Sequence, residues 1–153
     1  MSEIIRKRDY FFLSKRMILC SACLLGAKCR HDGKSKPNKK ALALAKSERL
    51  IPVCPDILGG LPVPREPTEL AGKKVITRSG VDVTRQCALG AQRVLAIAKA
   101  KKINKAILKQ RAPSCGNGKV YDGTFSGRIV KGWGLTADLL QKNGIEVISE
   151  EDL

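Results

Sequence analysis

The chain has one histidine, few aromatic residues, few acids and no long apolar run. A single histidine, His31, excludes a His-rich zinc site. Trp, Tyr and Phe together make up 4% of the residues, so the stacking platforms of single-strand nucleic-acid binders are poorly supplied. No stretch is apolar for long enough to cross a bilayer, which predicts no membrane partner. Phe11-Phe12-Leu13 is too short for a secretory apolar region and is flanked by charge. The expectation is a cytoplasmic chain whose thiols stay reduced.

The 153 residues predict one domain. At this length a fold buries about two-thirds of its unfolded surface and needs no disulfides. Against 14 Asp+Glu stand 29 Lys+Arg, a formal charge of +15. That surplus reads as a solvated basic surface, or as a face for an anionic partner such as RNA. Six cysteines are present, at 20, 23, 29, 54, 87 and 115. In a reduced chain, clustered cysteines point to metal or redox chemistry.

Short apolar runs bounded by turn residues predict strands near 17–21, 50–53, 105–109 and 145–148. Helical patterns run over 38–47, 84–101 and 134–142, with Thr84 as a candidate N-cap and Asn143-Gly144 as a stop. Strands alternating with helices predict an α/β domain around a mainly parallel four-stranded sheet in flavodoxin-like order. The loop Leu61-Pro62-Val63-Pro64-Arg65-Glu66-Pro67-Thr68-Glu69 has too many prolines for regular structure, and long ordered loops are often functional. Lys74 to Thr84 reads as a small hairpin insertion turning at Ser79-Gly80. Tyr121 to Ile129 reads as a glycine-interrupted loop able to cover a site. Residues 1–16 form a basic leader and 17–153 the domain.

Three cysteines share one setting. Cys23 and Cys54 closely follow predicted strands, and Cys115 trails a third by a few residues. In open parallel sheets such strand ends bind ligands. The intervals 54−23 = 31 and 115−54 = 61 match no zinc ribbon, but suit donors from separate βα units meeting at one sheet edge. Cys20-Ser21-Ala22-Cys23 alone reads equally as a redox pair, half a zinc site, or one ligand beside a bystander. Cys20 is expected to face the core. Cys87 falls on the apolar helix face, as a buried small hydrophobe. Cys29, between Lys28 and Arg30, is near the site and potentially reactive.

Ser21-Ala22-Cys23-Leu24-Leu25-Gly26 with Cys29-Arg30-His31-Asp32-Gly33 resembles the opening motif of a bacterial and archaeal domain family that includes the thiouracil desulfidases. Pro52-Val53-Cys54-Pro55-Asp56-Ile57-Leu58-Gly59-Gly60-Leu61 resembles its second motif, and Ala112-Pro113-Ser114-Cys115-Gly116 its third. The resemblance covers roughly Met17 to Leu153, with the motifs in the family's order. It implies a [4Fe-4S] cluster held by Cys23, Cys54 and Cys115. Three thiolates on four irons leave one iron open to a soft thiocarbonyl sulfur, and water then replaces that sulfur without redox change.

The implied activity is desulfidation of a thiolated nucleobase or a similar thiocarbonyl compound. Asp56 is the nearest base for the water, or a carboxylate accepting loop amides; Ser114 is a donor to cluster or substrate, or shapes its turn. Lys28 and Arg30 are candidates to meet an anionic substrate, or are solvated. Two positions depart from the family pattern: Cys-Pro-Asp replaces the usual Cys-Pro-Glu, and Ala112 replaces a serine associated with catalysis. These departures leave the cluster assignment intact and bear on thiouracil as the substrate. Two further functions fit the same residues. One is a [4Fe-5S] sulfide carrier passing sulfur to an acceptor partner. The other is a basic RNA-binding domain with structural zinc.

Overall fold

The computed structural model describes residues 16–153. The leader expected over 1–16 lies outside them except for Arg16, whose carbonyl accepts from Arg49 N at 3.0 Å. Four parallel strands form the central sheet: β1 (Met17–Ser21), β2 (Arg49–Val53), β5 (Lys105–Leu108) and β8 (Glu146–Ser149). Their spatial order is β2-β1-β5-β8, the flavodoxin-like arrangement expected from the alternation of strands and helices. Each strand lies within a residue or so of its predicted position.

Period-two alternation divides the core between the two sheet faces. Leu19, Ala106 and Leu108 face α3 (Thr84–Ala100) and α4 (Leu135–Lys142), where Val94, Ala98, Ala137 and Leu140 complete one core. Ile18, Cys20 and Ile107 face the other way, beneath a 3-10 turn (Ala22–Leu25) and α1 (Lys39–Leu44). Asn38 caps α1 by accepting from Ala41 N at 2.9 Å. This helix is shorter than the 38–47 expected. Thr84 is not the N-cap of α3: Val83 holds that position, and Thr84 Oγ1 instead accepts from Val75 N at 2.8 Å.

A four-residue helix, α2 (Pro55–Leu58), follows β2 directly, where a loop was expected. Pro55 opens it, at the one helical position where a missing N–H costs nothing. Two glycines press α2 onto α3: a Cβ on Gly90 would stand 1.9 Å from the Pro55 carbonyl oxygen, and one on Gly59 would stand 2.0 Å from that of Gln86. That backbone contact sets where Cys54 and Asp56 stand.

The hairpin insertion differs from expectation in register. β3 (Thr68–Ala71) pairs antiparallel with β4 (Lys74–Thr77), turning at Gly72, so Thr68 and Glu69 belong to a strand rather than to the proline-rich loop. The turn at Ser79-Gly80 survives only as a short return, with a single bridge between Ile76 and Asp82. Asp82 closes the return by spending its carboxylate on Thr84, whose N–H it accepts at 2.9 Å. A second hairpin, β6 (Asn117–Tyr121) and β7 (Ile129–Trp133), frames the glycine-interrupted segment, whose ends are therefore strand residues.

Candidate metal centre

Beyond the C-terminal ends of β1, β2 and β5 lies a cavity of about 690 Å³. The two hairpins contribute Thr68, Glu69, Arg78, Tyr121 and Phe125 to its walls. β1 is the strand from which the chain departs to β2 on one side and later adjoins β5 on the other, the switch point where such sheets bind ligands.

Four thiols line this cavity: Cys23, Cys29, Cys54 and Cys115. Cys23 sits in the 3-10 turn and Cys54 is the N-cap of α2. Cys115 packs with the core beneath α3 and α4, whereas Cys23 and Cys29 pack with the opposite core. They come together because all lie past the strand ends. Cys29 stands near enough to Cys23 and Cys54 for the thiols to influence one another's acidity, and Cys54 and Cys29 both act on that of Cys115. Cys29 thus lies among the three cysteines named by the family motifs.

Polar groups fix these sulfurs. Ser21 Oγ donates to Cys115 Sγ at 3.5 Å and accepts from Lys109 N at 2.8 Å, tying the end of β1 to the segment after β5. The Cys54 thiol points at the carbonyl of Cys29, 4.0 Å away, and Arg65 Nη2 donates to the same carbonyl at 3.0 Å. Gly134 admits the Cys115 turn: a Cβ there would come within 2.4 Å of the Ser114 carbonyl carbon.

Cys29, Cys54 and Cys115 are poor acids in this setting. Burial pushes Cys115 well above the ordinary thiol range. The hydrogen bond from Cys29 does the same to Cys54, with burial adding to it, and the bond to Cys23 raises Cys29. Each therefore holds its proton near neutrality unless a bound cationic centre displaces it. Among the described residues no three His, Cys, Asp or Glu side chains gather tightly enough to share one metal ion. The donors instead surround a space larger than one ion needs. An all-thiol set suits soft, sulfur-rich iron centres. Arg30, Lys36, Arg65, Arg78, Lys109 and Arg111 share the cavity with only Asp56 and Glu69, a surplus that would balance thiolate charge.

Asp56 is the polar centre of the site. Its Oδ1 accepts from Ser114 Oγ at 2.7 Å and from the Cys87 thiol at 3.9 Å, and Arg65 Nη2 reaches Oδ2 at 3.1 Å. All three partners are side chains, not the loop amides that would mark a purely structural carboxylate. Ser114, only 2% exposed, faces Asp56 rather than solvent. Arg30 lines the cavity, but Lys28 does not: it stands exposed on the turn after the 3-10 helix, away from the wall. Cys20 is fully buried in the core as expected, with its thiol pushed up to about 12 by burial and by Glu150. Cys87 is buried as well, raised to about 12 by burial and by Asp56, and meets the site at Asp56 and Ser114.

Motif reading did not single out Arg65, Ser21, Glu69, Arg78 or Phe125. Arg65 had a signal: it is the sole cation of the proline-rich stretch 61–69. Ser21 had one too, lying between the two cysteines of Cys20-x-x-Cys23.

The comparisons with known proteins span almost the whole chain. A family model described as 2-thiouracil desulfurase matches residues 18–152. The uncharacterized protein YbbK of Bacillus subtilis (strain 168) is 42% identical over 147 residues, spanning 90% of this chain and 97% of that protein. The solved structure of a [4Fe-4S]-dependent thiouracil desulfidase, TudS, is 44% identical and superposes with a TM-score of 0.86. That match covers 91% of this chain and 93% of TudS. With residues 18–152 matched by the family model, this chain belongs to the 2-thiouracil desulfurase family.

Proposed function

We propose that this protein is a [4Fe-4S]-dependent desulfidase that replaces the sulfur of a thiolated nucleobase or similar thiocarbonyl by oxygen. The observation that carries the reading is the joint placement of four thiols and the Asp56–Ser114–Arg65 group on one cavity wall. Cys23, Cys54 and Cys115 would hold the cluster, and Cys29 stands beside it. When bound, a cluster with three protein thiolates supplies one open iron as a soft Lewis acid.

The chain's own groups do the rest. Ser21 orients the Cys115 sulfur. Arg65 bridges the Cys29 carbonyl and Asp56, so the cysteine turn and the carboxylate keep one spacing. Asp56 takes a proton from the water that attacks the thiocarbonyl carbon. Ser114 holds the carboxylate oxygen that receives it. The carbon–sulfur bond breaks, and the sulfur leaves as hydrogen sulfide with the two protons of that water. The balance is C=S plus water to C=O plus hydrogen sulfide, with no change of oxidation state. Arg30, Lys36 and Arg111 line the same cavity and favour an electron-rich substrate.

The test is anaerobic reconstitution followed by iron and sulfide analysis, then incubation with 2-thiouracil. The reading expects iron and acid-labile sulfide in equal amounts, and uracil formed together with released sulfide. A loaded protein that leaves thiopyrimidines intact overturns it. Loaded protein that keeps the sulfur as bound sulfide and yields it only to an added electrophilic acceptor, such as an activated carbonyl that takes sulfide without redox change, moves the sulfide-carrier reading to the front.

A further inference from the structure

The β6–β7 loop is held over the cavity by an unusual contact. Glu69 on β3 is only 8% exposed, and one carboxylate oxygen accepts from Gly123 N at 3.0 Å and from Phe125 N at 3.1 Å. A buried carboxylate is thereby committed to the backbone of an otherwise exposed loop. Gly123 lets the loop come this close: at φ +91°, with a Cβ that would lie 2.6 Å from the Leu70 carbonyl oxygen, it must be glycine. Inside the loop, Asp122 Oδ1 accepts from Thr124 N at 2.9 Å and braces the turn.

Phe125 adopts φ +58°, a left-handed conformation that costs an aromatic residue energy. Glycine or asparagine would fill the position at lower cost. The fold spends this strain on placing a phenyl ring in the cavity wall. The Arg78 guanidinium, from the other hairpin, stands 5.8 Å from the ring centroid. Of the three aromatic residues among those described, Phe125 and Tyr121 line this cavity.

We infer that Phe125 is a specificity-determining residue: its ring stacks on the planar heteroaromatic ring of the substrate, with Arg78 steadying it. The thiols and Asp56 act on any thiocarbonyl; the Glu69-anchored loop selects a flat ring over an acyclic one. This rests on the desulfidase reading. Aromatic stacking on a base contributes enough for about a tenfold or larger effect on truncation.

The experiment compares the loaded wild type with Phe125→Leu, which keeps apolar bulk without π-stacking, and Phe125→Gly, which suits the left-handed backbone. The readouts are the kcat/KM ratio of 2-thiouracil to thioacetamide, and saturation transfer from the protein to uracil in the cluster-free chain. The expected result is a ratio lowered by about tenfold or more in both variants, through KM, with uracil transfer lost. Ratios within about twofold of wild type, or transfer absent from the wild type or unchanged in the variants, overturn the assignment. A wild type that transfers to uracil through Phe125 yet desulfidates nothing removes the desulfidase reading and leaves the stacking wall standing.

Discussion

Cys20 and Cys115 are both buried thiols close to a strand of the same sheet, yet they differ in kind. Cys20 lies inside β1, where alternation turns it beneath the 3-10 turn and α1; its neighbours there are Ile18, Leu24 and Ile107. Among the described residues its one hydrogen bond goes to the adjacent Ser21 carbonyl, at 3.7 Å. Cys115 lies beyond the end of β5, receives a hydrogen bond from Ser21 Oγ, and borders the cavity with three other thiols. Both thiols are raised by burial, so acidity does not separate them. Position does. A thiol within a strand is committed to a sheet face, whereas one past the strand end can join donors from other strands. Cys87, on the buried face of α3, belongs with Cys20, although its contact with Asp56 brings it nearer the boundary.

The strongest way to break this comparison is to remove a strand-end thiol. Cys23→Ala, Cys54→Ala or Cys115→Ala should each abolish cluster assembly, read as loss of visible absorption and bound iron after reconstitution. A loaded Cys115→Ala protein would erase the distinction. Next in size is Asp56→Asn, which keeps the shape and removes the proton acceptor. It should retain iron while turnover falls about 10²- to 10⁴-fold. Gly90→Ala tests the α2–α3 contact that places Cys54, since the new methyl meets the Pro55 carbonyl. Denaturant unfolding should show a loss of about 1–3 kcal/mol. Cys29→Ala sharpens the comparison from the inside, because Cys29 lines the cavity yet is assigned no bond to the cluster; iron content should be weakened at most.

The smallest effects belong to the core thiols. Cys20→Ala and Cys87→Ala should load normally and cost no more than about 1–2 kcal/mol each. They also carry a pH signature. Both are raised from 9.0 to about 12 in the folded chain, so the unfolded chain loses its protons first. Their contribution is complete below about pH 9 and is lost as pH rises toward 12. The double variant should show a flatter decline of thermal midpoint above pH 9 than the wild type. An identical decline would mean that neither thiol is held neutral by the fold.

The strand ends were legible because short apolar runs closed by turn residues mark buried parallel strands, and β1, β2, β5 and β8 all follow that rule. Cysteines just past them could be placed at one edge without knowing any distance. The short helix α2 was not legible, since Pro55 at its start and the glycine pair after it outweigh the three helical residues between. The hairpin register slipped because Ala71-Gly72 and Ser79-Gly80 are equally good turns; pairing of Thr68 with Thr77 decided for the first. β6 and β7 hid behind glycines and a half-exposed alternation. The Asp56–Ser114–Arg65 group was beyond pattern reading, because its members meet only when the loop folds back over α2. Lys28, offered beside Arg30 as a substrate-binding candidate, does not line the cavity, whereas Cys29 and Arg30 do.

The four cavity thiols span 115−23 = 92 residues, and the last of them is anchored beside strand β5, whose outer edge is covered only by β8. No leading fragment that stops short of Cys115 therefore contains the full set of thiols. A nascent chain emerging from the ribosome would carry Cys23, Cys29 and Cys54 well before Cys115 is made to join them. On the proposed reading, cluster loading is in this sense a late step, one that waits for the segment after β5.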